Sequence, residues 1–163
     1  MPDRYCGFRV GDDEFLIPAH TVRGALASEN VVKGNGPRAW LQIYRDCEGL
    51  SLPAIDLRVR FLAADHQTRE LGGGGVLHAC IRRWDVALIA SAITGTFSIA
   101  PIDIIAAERA GIPAASIITG IWPSRPTPRY VLDLTTLLDN AVAATAFYLL
   151  HAKLRAERKS NSF

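Results

Sequence analysis

The chain has 163 residues, enough for one ordinary domain or two very small packed units able to bury a core. Its 18 basic and 16 acidic residues leave a formal net charge of +2, so no large single-sign field demands nucleic acid or an anionic membrane. Cys6, Cys47 and Cys80 are odd in number and widely separated, which favours reduced, partly buried thiols in a cytosolic protein over a disulfide framework.

The start, MPDRYCGF, lacks a cationic stretch followed by an apolar core. The longest apolar runs fall short of the roughly 20 residues that span a bilayer, so a cytoplasmic chain without membrane insertion is expected. Cys6, Phe8 and Val10 alternate with Gly7 and Arg9, Gly11-Asp12-Asp13 supplies a turn, and Phe15 to Ile17 returns as far as Pro18, which predicts a hairpin. Ala19 to Leu26 reads as a short helical turn containing Val22, and Ser28 to Arg38 as a loop or irregular edge strand. Trp40 to Tyr44 and Leu50 to Ile55 are strand-like around a turn at Arg45 to Gly49.

From Leu62 the chain turns polar and ends in four glycines, Gly72 to Gly75, a linker or long hairpin loop by composition. Val76 to Ile81, a polar turn at Arg82 to Asp85, and a strong strand from Val86 to Ile93 follow, then a shorter strand at Thr96 to Ile99. Ile102 to Arg109 reads as a helical turn or loop and Ile117 to Ile121 as a strand. The three prolines from Pro123 to Pro128 require a loop or sheet edge, because proline has no N–H to give to a ladder. Ala141 to Arg158 is a terminal helix with an apolar stripe at Ala141, Val142, Thr145, Leu149 and Ala152, and a basic end.

LSLPAIDLRVRF, Leu50 to Phe61, and PRYVLDLTTLL, Pro128 to Leu138, share one pattern, in which an aspartate stands where a strand gives way to a helical turn. The aspartates, Asp56 and Asp133, lie 77 positions apart, and the turns at Gly11 and Arg83 lie 72 apart, which suggests two copies of one small β unit. A carboxylate at such a junction accepts hydrogen bonds from free N–H groups of the first turn, so both aspartates read as structural caps and not as catalytic acids. Leu57 with Phe61, and Leu134 with Leu138, share a face four residues apart and are expected to close the barrel ends.

Little recruits catalysis. His20, His66, His78 and His151 show no metal-ligand spacing with each other or with the cysteines, and Gly72 to Gly75 lack the Gly-Lys-Ser/Thr ending of a phosphate loop. Asp12-Asp13-Glu14 lacks calcium-loop spacing, and no serine sits in a nucleophile elbow. No catalytic residue, metal or cofactor is assigned.

FRVGDDEFLIP, LPAIDLRVRF, WDVALIASAITGTFSIAPIDI, and IITGI followed by YVLDLTTLL occur in an order that resembles the CheW-like coupling domain of bacterial chemotaxis systems, from Tyr5 to about Leu138. The resemblance implies a mainly β fold of two intertwined SH3-like barrels of about five strands each, followed here by the C-terminal α-helix. It implies a domain over 1–139, with a first barrel at about 12–70 and a second at about 76–138 joined by the N-terminal strand, and a helix with a basic tail over 140–163. It also implies no catalysis, but an adaptor linking the cytoplasmic tips of methyl-accepting chemoreceptors to the regulatory domain of a CheA-type histidine kinase.

The family's Gly, Pro, Asp and Leu match Gly49, Pro53, Asp56 and Leu57. The arginine before that glycine is Glu48 here, the upstream basic-Gly pair falls on Gln42 and Ile43, and an aspartate after the strong strand falls on Ser91. Positive charge replaced by negative at Glu48 opposes an acidic counterpart. Partner contacts are expected near Val22 and Arg23 and along Ile43, Arg45, Glu48 and Gly49; the face from Val86 to Ile93 is a further candidate but reads first as core, because alternate residues must fill the second barrel. The terminal helix is a candidate for self-association. The alternative is a nucleic-acid-binding small barrel, motivated by Arg82-Arg83-Trp84 and the basic tail but lacking a run of exposed aromatics on one face.

Overall fold

Each half of the chain opens with a hairpin and donates it to the sheet completed by the other half. The computed structural model describes residues 1–32, 40–61, 74–113, 117–138, 150 and 152–159. The first half contributes β1 (Asp3–Val10), β2 (Asp13–Pro18), β3 (Val22–Leu26), β4 (Val31–Val32), β5 (Leu41–Arg45), β6 (Ser51–Asp56) and the short helix α1 (Leu57–Phe61). The second contributes β7 (Gly75–Ile81), β8 (Trp84–Ala90), β9 (Ala92–Ile99), β10 (Ile105–Ala106), β11 (Ile118–Trp122), β12 (Arg129–Leu132) and a 3-10 turn over Leu134–Leu138. Sheet I runs β3-β7-β8-β6-β5-β4 and sheet II runs β9-β1-β2-β12-β11-β10.

These two orders are the same topology written twice. A hairpin (β5–β6 or β11–β12) lies parallel to the second strand of the donated hairpin, with Ala54 opposite Ala87 in sheet I and Tyr130 opposite Phe15 in sheet II. A longer strand and a two-residue strand flank each set. The architecture is the expected mainly β one, five strands and a short sixth per sheet, with a helix at the C-terminal end. The expected barrel boundaries are corrected by the sheets themselves: β2 sits in sheet II, and β7 and β8 sit in sheet I, because both parallel junctions require the hairpin of the opposite half.

Burial explains why the exchange holds. Strand β8 reads Val-Ala-Leu-Ile-Ala from Val86 to Ala90 without alternation, since both of its faces are covered. Val86, Leu88 and Ala90 enter a central layer with Leu77, Ala79 and Ile81 of β7 and Phe8, Val10, Phe15 and Ile17 of the other sheet. Ala87 and Ile89 face the opposite way, into sheet I's own core with Tyr44, Leu52, Ala54 and Val76. Sheet II repeats the arrangement, with Leu16 turned to Ile99 and Val131. Leu57, Leu134, Leu137 and Leu138, from the two segments that follow the aspartates, also lie in the central layer. The rings of Phe8 and Phe15 stack at 5.8 Å, and Phe61 and Tyr130 approach Phe15 at 5.5 and 5.9 Å.

Several local expectations change. Val22–Leu26 is a strand and not a helical turn; only Ala19–Thr21 is a 3-10 turn, because the β7 edge offers a ladder and Val22 pairs with Ala79. The apolar run from Val86 to Ile93 is broken at Ser91, where the chain passes from sheet I to sheet II. There the Ser91 N–H donates to Arg9 O at 2.8 Å, and its Oγ accepts the Gly11 N–H at 3.0 Å. The end of the glycine run is not slack: a Cβ on Gly74 would fall 2.5 Å from the Ala90 carbonyl oxygen, and one on Gly75 2.8 Å from Ile93. Residues 62–73, the rest of the proposed linker, lie outside the described residues, as does the helical stripe at Ala141, Val142, Thr145 and Leu149. Of the helix that is described, Ala152 is exposed and Leu154 is the buried residue.

Because the central layer belongs to both sheets, Phe8→Ala is expected to cost about 3–5 kcal/mol. In urea it should shift far-UV circular dichroism and tryptophan fluorescence together, in one transition; separate midpoints would mean that the sheets unfold independently.

Candidate functional site

The two capping aspartates occupy equivalent junctions but different surroundings. The Asp56 N–H donates to Trp40 O at 2.7 Å, and the Asp133 N–H donates to Ile117 O at 2.9 Å, each tying a junction to the neighbouring hairpin strand or its approach. Asp56 Oδ1 accepts the Arg58 N–H at 3.0 Å, and Asp133 Oδ1 accepts the Thr135 N–H at 3.0 Å and its hydroxyl at 2.7 Å. Asp56 is wholly buried and also takes the Arg58 guanidinium in a two-point contact, Nε to Oδ1 and Nη2 to Oδ2, both at 3.0 Å. Gln42 Nε2 donates to the same Oδ2 at 3.3 Å, so this departure from the family pattern points at the cap. A paired buried carboxylate of this kind is a structural anion, held by fixed donors.

The expected contact residues fall in two places four strand positions apart in sheet I. Val22 and Arg23 lie on β3, Val22 half-buried against the central layer and Arg23 exposed. Arg23 Nε lies 2.8 Å from Asp85 Oδ1, which His78 Nε2 approaches at 3.1 Å. The hydrogen bond to Asp85, with its charge, raises the Arg23 guanidinium above its ordinary pKa. Arg23 also lines a cleft of about 680 Å³ between the sheets, with Tyr5, His20, Cys80, Thr119 and Asp133 along its walls. Burial and the nearby Asp3 charge push the Tyr5 hydroxyl up.

Ile43, Arg45, Glu48 and Gly49 lie instead on the β5–β6 hairpin. Asp46 builds its turn: Oδ1 accepts the N–H groups of Glu48 at 3.0 Å and Leu50 at 2.9 Å, and the Gly49 N–H reaches Asp46 O at 3.4 Å with Gly49 at φ 91°. The Glu48 side chain is left at the exposed rim. Arg45 Nη2 lies 2.7 Å from Glu157 Oε2 of the C-terminal helix, and Arg158 Nη2 donates to Ser51 O. Sequence reasoning missed Asp46, although Asp-x-x-Gly between two strands is a turn signal. It also missed Asp85 and Glu157, whose partners lie 62 and 112 positions away.

The face from Val86 to Ala90 is core and offers no surface. At the Arg83 turn the guanidinium lies 5.4 Å from the Trp84 ring centroid, and that ring packs on the central layer, so it is no open stacking platform for bases. Among the described residues no group of three or more His, Cys, Asp or Glu is placed to hold a metal, and no helix is long and apolar enough to cross a membrane. All three cysteines are free; Cys6 is buried and Cys47, expected to be partly buried, is exposed on the hairpin turn.

The chain is thus built as two interlocked small β-barrels with a shared core, a cleft between the sheets and an outward-facing hairpin turn. The family model described as the CheW-like domain matches residues 4–142, and the chain belongs to that family. Among solved structures, the scaffolding protein CheW of Thermoanaerobacter tengcongensis is similar in fold, with a TM-score of 0.67 and 17% identity over 86% of this chain and 95% of that one. No curated protein matches in sequence.

Asp56→Ala leaves the Arg58 guanidinium buried without its carboxylate and is expected to cost about 3–5 kcal/mol in chemical denaturation; a loss below about 1 kcal/mol would mean that water already reaches the pair. Burial pushes the Cys6 thiol up from its ordinary value, so less thiolate is present at a given pH. Native iodoacetamide labelling followed by mass spectrometry is therefore expected to modify Cys47 first and Cys6 last, with Cys6 requiring the higher pH.

Proposed function

We propose that this chain is a non-enzymatic cytoplasmic adaptor that couples the cytoplasmic tips of methyl-accepting chemoreceptors to the regulatory domain of a CheA-type histidine kinase. The observation that carries this reading is membership of the CheW-like family across residues 4–142, in a fold shared with a scaffolding protein. The physical basis is rigidity. An adaptor transmits a change in one partner to another only if its contact surfaces keep a fixed relation, and a core common to both sheets supplies that constraint. The cleft beside Arg23 and the rim at Ile43, Arg45, Glu48 and Gly49 are the proposed contact regions, carried on different strands of one sheet, β3 and the β5–β6 hairpin.

Charge at the rim adds selectivity. Glu48 projects negative charge from a turn whose backbone is fixed by Asp46, so it disfavours an acidic partner surface without altering the hairpin. Calorimetry with a receptor-tip fragment and with a CheA-type regulatory domain is expected to register binding of at least one of them; silence from both at high micromolar concentration would end the adaptor reading. Glu48→Arg is expected to tighten binding to a partner with an acidic contact surface about 5-fold, the scale of one exposed charge pair, with the gain shrinking as salt is added. An unchanged affinity would separate that turn from the interface.

A further inference from the structure

The C-terminal helix lies beyond the family match, which ends at residue 142, and yet it is seated on the hairpin that carries four of the proposed contact residues. Three features hold it there. Leu154 is 1% exposed, the only buried side chain among the helix residues described, and is set beside Leu50, Leu52 and Pro53 of the hairpin and Trp84 of the next turn. Glu157, three residues on, pairs with Arg45; Arg158, four residues on, donates to the Ser51 carbonyl. Leucine, glutamate and arginine at i, i+3 and i+4 share one helical face, so among the described residues a single turn carries the contact.

The seat is light. A cavity of about 260 Å³ remains between helix and hairpin, and the ion pair is nearly half exposed on both sides, at 46% and 41%. Among the described residues, one buried leucine, a screened charge pair and one side-chain to backbone hydrogen bond hold this turn, a contact that another helix of the same pattern can reproduce. We infer that the β5–β6 hairpin, with the turn at Trp84, is a helix-docking surface occupied in cis by the chain's own C-terminal helix. A partner helix bearing leucine followed by an acid at i+3 and arginine at i+4 reaches it by displacing that helix. This makes the helix a built-in competitor for the hairpin rim. The inference rests on the adaptor reading only for what the displacing helix would belong to.

The test uses the full chain and a fluorescein-labelled peptide of residues 150–163, read by fluorescence polarisation. Leu154→Asp removes the apolar anchor of the resident helix without touching the hairpin. Its folded chain, checked by circular dichroism, is expected to bind the peptide at least about tenfold more tightly than the unmodified chain, whose tethered helix competes at high effective concentration. Adding Arg45→Glu should weaken that binding several-fold, and a peptide carrying Glu157→Arg should restore it. Should Leu154→Asp fail to fold, Arg45→Glu alone in the full chain is expected to favour the charge-swapped peptide over the native one.

A folded Leu154→Asp chain that takes up no peptide overturns the docking surface, and equal uptake by both chains overturns occupancy in cis. A concentration-dependent dimer of the unmodified chain that the peptide dissociates would assign the occupant to a second copy and also overturn it. No receptor or kinase enters the assay, so its failure is distinguishable from failure of the adaptor reading.

Discussion

The structure depends on one constraint: the central strands of both sheets are buried on both faces. Val86, Leu88 and Ala90 face Phe8, Phe15 and Ile17 across the central layer, while Ala87, Ile89 and Leu16 point away into the smaller cores behind. A sheet buried on one side alone could detach from its neighbour, with its outer face wetted. Here detachment would expose a row of leucine, isoleucine and phenylalanine side chains, each worth about 1.5–3 kcal/mol when buried. The exchange of hairpins strengthens the same constraint, because each sheet's parallel junction is formed from strands of both halves.

From that layer the positions of the polar residues follow. The chain must leave each sheet after β6 and after β12, and at both exits it turns down over the layer with leucines inward and an aspartate taking the first free N–H groups. At Asp56 the exit is fully covered, so the carboxylate is satisfied by Arg58 and Gln42. At Asp133 the exit borders the inter-sheet cleft, and a threonine suffices. One local motif thus yields a buried ion pair in one copy and a cleft wall in the other.

In the proposed adaptor role, recognition falls to the periphery: the cleft, the β3 edge where Arg23 meets Asp85, and the hairpin rim from Arg45 to Gly49. These are turns and edges on a stiff support, the usual division between scaffold and contact surface. The described turn of the C-terminal helix lies on that rim, where Glu157 pairs with Arg45 and Arg158 donates to Ser51. Leu154 is its one buried side chain among the described residues, whereas lid residues such as Leu57 and Leu138 are enclosed by both sheets.

Much of this was legible in the chain. The alternation in β1, the turn at Gly11, the proline-rich connection after Trp122 and the paired Asp-Leu junctions are local signals, set by backbone sterics and hydrogen bonding within a few residues. They gave the all-β class and the internal repeat. Which sheet each hairpin joins was not legible, because strand pairing is decided between residues far apart in the chain, as with Ala54 and Ala87 or Arg129 and Glu14; Val22–Leu26 became a strand only because the β7 edge needed a partner. The same holds for the site. The turn at Gly49 is written in its own residues, but the pairing of Arg45 with Glu157, and of Arg23 with Asp85, arises only when the folded sheets bring distant charges within 3 Å.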